Sequence, residues 1–244
     1  MAETKANEAR ASYETVLAEE VLVESLITKT SLSEVEFLKI VKFGRQSELN
    51  IGTIITLPNG RGTTNQWLVA DVNHDDTTGT VDLVSRRLIR DKTSEAYTTN
   101  NSYWGSSQLY ADSTIRNWLT ETYINGFSTA IQNVLKTMNV VVSDKNGYPA
   151  STNDKIKLLS LVELGYDNIA VSGKPSSEEG TRYPIFNTFS DRIRYEATGD
   201  LGEYWTRTRD TSASTYVFYI ENDGSCASTV CQNTTVGIVP VIRF

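Results

Sequence analysis

With 244 residues, 39% hydrophobic and 22% charged, the chain is long enough to bury one large core and carry a small appendage. A formal charge of −7 and a pI near 4.9 argue against nucleic acid as a partner, because phosphate binding needs clustered Lys and Arg; Arg207 with Arg209 is the one tempting patch. No run approaches the roughly 18 apolar residues of a membrane span, and residues 1–10 lack the basic start and apolar centre of a secretory signal, so no membrane insertion is expected.

Residues 1–48 read as a helical attachment segment. Tyr13, Val16, Val23 and Ile27 recur at helical steps beside Leu17, Leu22 and Leu26, with Glu14, Glu19, Glu20 and Glu24 on the solvated side. A helix of about three turns is only marginally stable alone, so it folds back on its own domain or anchors to a neighbouring subunit through Val16, Leu17, Val23 and Ile27. Ser31 or Ser33 caps a second short helix carrying Val35, Phe37, Leu38 and Ile40.

From Ile51 the pattern changes to strands. Residues 51–57, 66–72 and 80–86 form an antiparallel meander, with turns at Pro58-Asn59-Gly60 and Thr77-Thr78-Gly79. After a polar loop with Tyr97, Tyr103 and Trp104, a helix starts at Ser113 or Asp112 and runs through Leu119. A second helix over 127–138 carries Phe127, Ala130, Ile131, Val134, Leu135 and Met138 on one stripe. Residues 157–165 predict a short strand passing into a helical turn ended by Gly165; the remainder of 139–203 is irregular and rich in Ser, Gly, Asp, Asn and Pro, the kind of segment that carries binding function.

The C-terminal end is the most patterned. Residues 204–209 alternate as a strand with two different faces, 216–220 form a second strand, and Asn222-Asp223-Gly224 suits a hairpin turn. The closing GIVPVIRF is an apolar strand whose Pro240 belongs at an edge or a bulge.

Chemistry-bearing residues are sparse. Cys226 and Cys231 read as reduced or locally bridged loop thiols, and their spacing is not that of a zinc knuckle. His74 is the single histidine and sits in what reads as a turn with Asn73, Asp75 and Asp76, so no Ser-His-Asp triad is expected. Glu221, Asn222 and Asp223 carry oxygen ligands, but calcium needs about six to eight and no second acidic cluster accompanies them, so no metal or cofactor is expected.

QWLVADVNHD at 66–75, VDLVSRRLI at 81–89, STIRNWL followed by YINGFSTAIQNVL, KIKLLSLVELG at 155–165, YWTRT at 204–208 and GIVPVIRF resemble, in order and spacing over 50–244, a domain of unknown function common in bacterial and bacteriophage proteins. That domain is similar to the C-type-lectin-like fold of phage tropism determinants and formylglycine-generating enzymes. The resemblance implies an α+β fold of short, twisted antiparallel sheets with two flanking helices and long loops over 49–244, whose C-terminal strands display a solvent-facing surface.

Three functions compete. A virion or cell-surface display module would contact a host glycan or protein through Trp205, Arg207, Arg209, Tyr216 and Tyr219, with Asn222 and Asp223 at the hairpin tip; half of such alternating residues must instead pack inward. A capsid, tail or baseplate component would dock to other virion proteins through residues 1–38 and form a homo-oligomer. An enzyme of the copper-dependent formylglycine-generating type would use Cys226 and Cys231, but in those enzymes the pair precedes the strand resembling YWTRT, whereas here it follows. The expectation is a non-enzymatic, surface-exposed phage structural or receptor-facing protein, with a free-standing bacterial adhesion module as the alternative, and with a globular part that stays folded when residues 1–38 are removed.

Overall fold

The alternation in residues 51–86 becomes the frame of the molecule. In the structure, a computed structural model that describes residues 2–58, 64–89, 104–144, 146, 148–167, 169–175 and 179–244, the chain starts with helix α1 (Ala2–Ile27), strand β1 (Ser31–Ser33) and helix α2 (Glu34–Lys42). The meander follows as β2 (Ile54–Pro58), β3 (Thr64–Val72) and β4 (Val81–Ser85), antiparallel throughout. Asn59 and Gly60 of the expected first turn, and Tyr97 and Tyr103 of the polar loop, lie outside the described residues. Helices α3 (Thr114–Glu121) and α4 (Thr129–Val134) come next, then β5 (Met138–Ser143), β6 (Pro149–Asp154), β7 (Ile156–Leu158) and a wide turn at Val162–Tyr166 in which Gly165 takes φ +81°. The last elements are α5 (Phe189–Arg192), β8 (Arg194–Tyr195), β9 (Leu201–Gly202), β10 (Tyr204–Arg209), β11 (Tyr216–Ile220), β12 (Cys226–Val230) and β13 (Pro240–Arg243).

The main sheet has the order β1-β2-β3-β4-β13-β7, parallel between β1 and β2 and antiparallel elsewhere. The hairpins β10-β11-β12, β5-β6 and β8-β9 form smaller sheets, so the architecture is mixed α and β with several small sheets. Because side chains alternate along a strand, each central strand feeds two cores. Trp67, Val69, Leu83 and Ile242 pack with Phe37, Ile115 and Leu119 of the helices, while Ala70, Val84 and Val241 pack with Leu164, Tyr183 and Tyr204.

Several expectations change. Pro240 is not on an edge: β13 lies between β4 and β7, and proline is tolerated because it is the strand's first residue. The helix expected over 127–138 stops at Val134, and Met138 opens β5, where Val140, Val141 and Val142 favour a strand. The division at 48/49 does not coincide with a break in packing. β1 is a strand of the main sheet, Leu32 and Phe37 are buried, and the Phe37 ring meets Phe244 edge-on at 4.8 Å. Ser33 caps α2 through a capping box with Glu36, whose carboxylate also accepts from Lys29 Nζ at 2.6 Å and is thereby lowered to about 2.

Helix α1 is much longer than three turns and behaves as two parts. Val23, Leu26 and Ile27 are buried against the domain, whereas Tyr13, Val16, Leu17, Val21 and Leu22 are exposed. Lys42 and Arg45 hold its second half through Glu19 and Glu24. Of the four residues expected to make assembly contacts, Val23 and Ile27 are thus spent on the chain's own core.

Candidate binding cleft

Strand β10 is buried at all six positions, so the expected inward and outward faces do not exist. It is covered on both sides: Trp205 joins the helix-side core, packing at 5.8 Å from the Trp104 ring, and Tyr204 joins the other core, where its hydroxyl donates to Arg192 O at 2.8 Å. Trp205, Arg207 and Arg209 are therefore interior residues, which corrects their reading as surface contacts. Tyr216 remains exposed, Tyr219 is half-buried, and Asn222 and Asp223 are exposed at the β11–β12 turn. That turn is pinned: Tyr166 Oη donates to Gly224 O at 2.5 Å, and Gly224, at φ +83°, leaves no room for a Cβ against the Phe189 carbonyl.

The charge of Arg207 is neutralised inside. Its guanidinium forks onto the Glu163 carboxylate at 2.5 and 2.8 Å and also donates to Val141 O, Leu158 O and Glu179 O. Lys157 Nζ completes the set on Glu163 at 2.7 Å. Burial pushes the Glu163 carboxyl up, but Arg207 and Lys157 override it and hold it at about 2. Glu179 differs: it accepts from Ser143 N and Oγ and from the Thr208 hydroxyl, and burial keeps its carboxyl above the usual range.

A second buried pair lies nearby. Arg243 forks onto Asp82 at 2.5 and 2.8 Å, and Tyr183 Oη donates to the same carboxylate at 2.6 Å. Burial and the adjacent Asp82 push the Tyr183 phenol well up. His74 is not a plain turn residue. Its ring is buried, stacked on Tyr183 at 3.8 Å, with Nδ1 2.8 Å from Asp71 Oδ2. Every charged member of these two groups has a charged or hydroxyl partner, so they knit the smaller-sheet side of the molecule to the main sheet.

Cys226 opens β12 and Cys231 follows its last residue. A strand rises about 3.3 Å per residue, so the two thiols sit roughly 10 Å or more apart and do not converge on one ion. Both are free, and burial pushes both thiols up. Among the described residues no group of three His, Cys, Asp or Glu side chains could hold a metal ion, and no helix is long and apolar enough to cross a membrane.

A cleft of about 390 Å³ opens on another side, where the β8–β9 hairpin leans on the segment after β4. Leu88 N donates to Tyr195 O at 2.9 Å and Arg87 bridges Tyr195, while a Cβ on Gly202 would collide with the Leu88 side chain. Gln66 and Leu68 of β3, Arg86 and Arg87, Ser190 and Asp191, and most of the β8–β9 hairpin from Ile193 to Gly199 line it. Arg86 Nη1 donates to Gln66 Oε1 at 2.6 Å. Arg194, only 4% exposed, donates through Nε to Ser85 O at 3.3 Å and through Nη1 to the carbonyls of Asp191 and Ile193 at 2.8 and 2.9 Å. Its Nη2 is shut from solvent and has no partner. The Asp191 carboxylate is occupied in capping α5, accepting from Asn187 N, Thr188 N and Thr188 Oγ1 through Oδ2.

None of the cleft residues stood out in the sequence. Arg194 falls in the aperiodic stretch of 139–203, and only the doublet Arg86-Arg87 and the Arg192, Arg194 pair mark the region as basic in an acidic chain.

Compared with known proteins, the chain matches the family described as Domain of unknown function (DUF6273) over residues 79–243, from the turn before β4 to the last residue of β13. No curated protein matches, and no solved structure matches.

Proposed function

The chain belongs to the DUF6273 family, and from that premise we propose that it is a non-enzymatic display protein of a bacteriophage particle, held to capsid, tail or baseplate proteins by α1 and facing its ligand with the globular part. The observation that carries this reading is the exposed apolar stripe of α1: Tyr13 is 67% exposed and Val16 and Leu17 are each 47% exposed on a helix whose other end is anchored in the core. Apolar surface arranged at helical spacing and left in water is what a helix–helix interface provides. The C-type-lectin-like interpretation of the fold belongs to the same proposal; small antiparallel hairpins, the two helices α3 and α4 between β4 and β5, and long connections support it. The ligand, a host-surface glycan or protein, would enter the cleft beside β8 rather than meet β10.

Light scattering on the full chain and on a chain starting at Glu20 tests the proposal. The full chain is expected to be a defined homo-oligomer, and the shorter one a folded monomer, because Val23, Leu26 and Ile27 are retained. Two monomers would contradict attachment through α1 and favour a free-standing bacterial adhesion module. Starting the chain after residue 38 is no longer a neutral control, since it removes Leu32 and Phe37 from the core.

A further inference from the structure

We propose that the cleft beside β8 is an oxyanion site, in which the guanidinium of Arg194 receives the carboxylate, sulfate or phosphate of a sugar-sized ligand, with Arg86 and Arg87 at the mouth. The inference rests on the cleft being the ligand-facing site, but not on attachment to a particle.

A buried guanidinium is costly unless a carboxylate compensates it. Arg207 and Arg243 obey that rule, with Glu163 and Asp82 respectively. Arg194 does not: its acceptors are three backbone carbonyls, its Nη2 is unpartnered, and its guanidinium carbon lies 5.3 Å from the Phe186 ring. Arg192 also has an unpartnered nitrogen, but its guanidinium rests against the Tyr166 and Phe189 rings and does not line the cleft. Burial accordingly pushes the Arg194 pKa down, and the nearby Tyr204 and Asp191 offset that only in part.

An oxyanion held at the mouth by Arg86 and Arg87, displacing the atoms that now shut Nη2 from solvent, would supply the missing charge-assisted hydrogen bond. Three arginines line the cleft against two carboxylates, Asp191 and Glu196, so the lining suits one anionic group and not a polyanion. The volume is that of a small-molecule site, and the half-exposed Tyr195 ring, with Ile193 and Ala197, offers an apolar flank for a sugar ring.

The test is calorimetric titration of the full chain with glucuronate, glucose 6-phosphate and inorganic sulfate, with glucose as the neutral control. At least one charged sugar is expected to bind while glucose does not, and Arg87→Glu is expected to weaken binding about tenfold or more. Binding by sulfate as tight as by the charged sugars would keep the oxyanion site but reject the sugar-sized ligand. No heat from any anion up to roughly millimolar ligand would overturn the proposal, as would binding unchanged in both Arg87→Glu and Arg194→Met. If Arg194→Met fails to fold by circular dichroism, Arg86→Ala with Arg87→Ala decides, and unchanged binding there overturns it. A chain that binds an anion yet is monomeric by light scattering rejects particle attachment and keeps the site.

Discussion

Arg207 on β10 and Arg194 on β8 are both almost fully buried, yet their surroundings use the charge in opposite ways. Around Arg207 the protein supplies Glu163, three carbonyls and a neighbouring Lys157, so nothing is left for a ligand. Around Arg194 it supplies carbonyls and an aromatic ring, and leaves one buried nitrogen without an acceptor on a residue that lines a cleft. Burial of an arginine alone does not separate a structural residue from a binding one; whether its counterion is built into the chain does.

If that contrast holds, substitutions on the two sides should differ in kind. Glu163→Gln leaves Lys157 and Arg207 buried without their carboxylate and should cost about 3–5 kcal/mol in urea unfolding; a loss below about 1 kcal/mol would break the comparison. The same residue sets an acid limb. With its carboxyl held at about 2 in the folded state, against 4.5 ordinarily, its contribution is complete above pH 4.5 and is lost as the pH falls towards 2. Half-buried Glu36 titrates in the same direction, whereas Glu179, raised by burial, contributes in the opposite sense: its share is present below its unfolded pKa and is lost as the pH rises through the folded one. Stability measured against pH should therefore have a shallower acid limb in Glu163→Gln than in the parent.

Gly180→Ala should cost about 1–3 kcal/mol, because the residue sits at φ +95° and a Cβ would lie 2.8 Å from Glu163 Oε1. Arg194→Met should cost about 1 kcal/mol, the loss of hydrogen bonds to carbonyls partly offset by removal of an uncompensated charge. A loss as large as that of Glu163→Gln would show that Arg194 is a structural residue. Arg87→Ala, on the surface of the cleft, should change stability by no more than about 0.5 kcal/mol while weakening anion binding.

Much of the frame was legible because its signals are local. The period-two runs at 66–72 and 80–86, Asn222-Asp223-Gly224 and the serine caps at Ser33 and Ser113 each act within a few residues. What stayed hidden depends on distant partners. Alternation in 204–209 suggested one outward face, but a second core covers that face, and Arg207 meets Glu163 from 44 residues away. β1 has three residues, too few for a period, so its place in the main sheet could not be read and the segment before residue 49 looked separable. Arg194 lies on a two-residue strand in an aperiodic stretch, and its lack of a counterion is a property of the fold alone.

The side-chain guanidinium NMR spectrum of the full chain, recorded as glucuronate is added, tests the contrast most directly. The account predicts that the Arg194 signal moves and saturates while the Arg207 signal stays in place. An Arg194 signal that does not move, with glucose 6-phosphate and sulfate giving the same result, would contradict it.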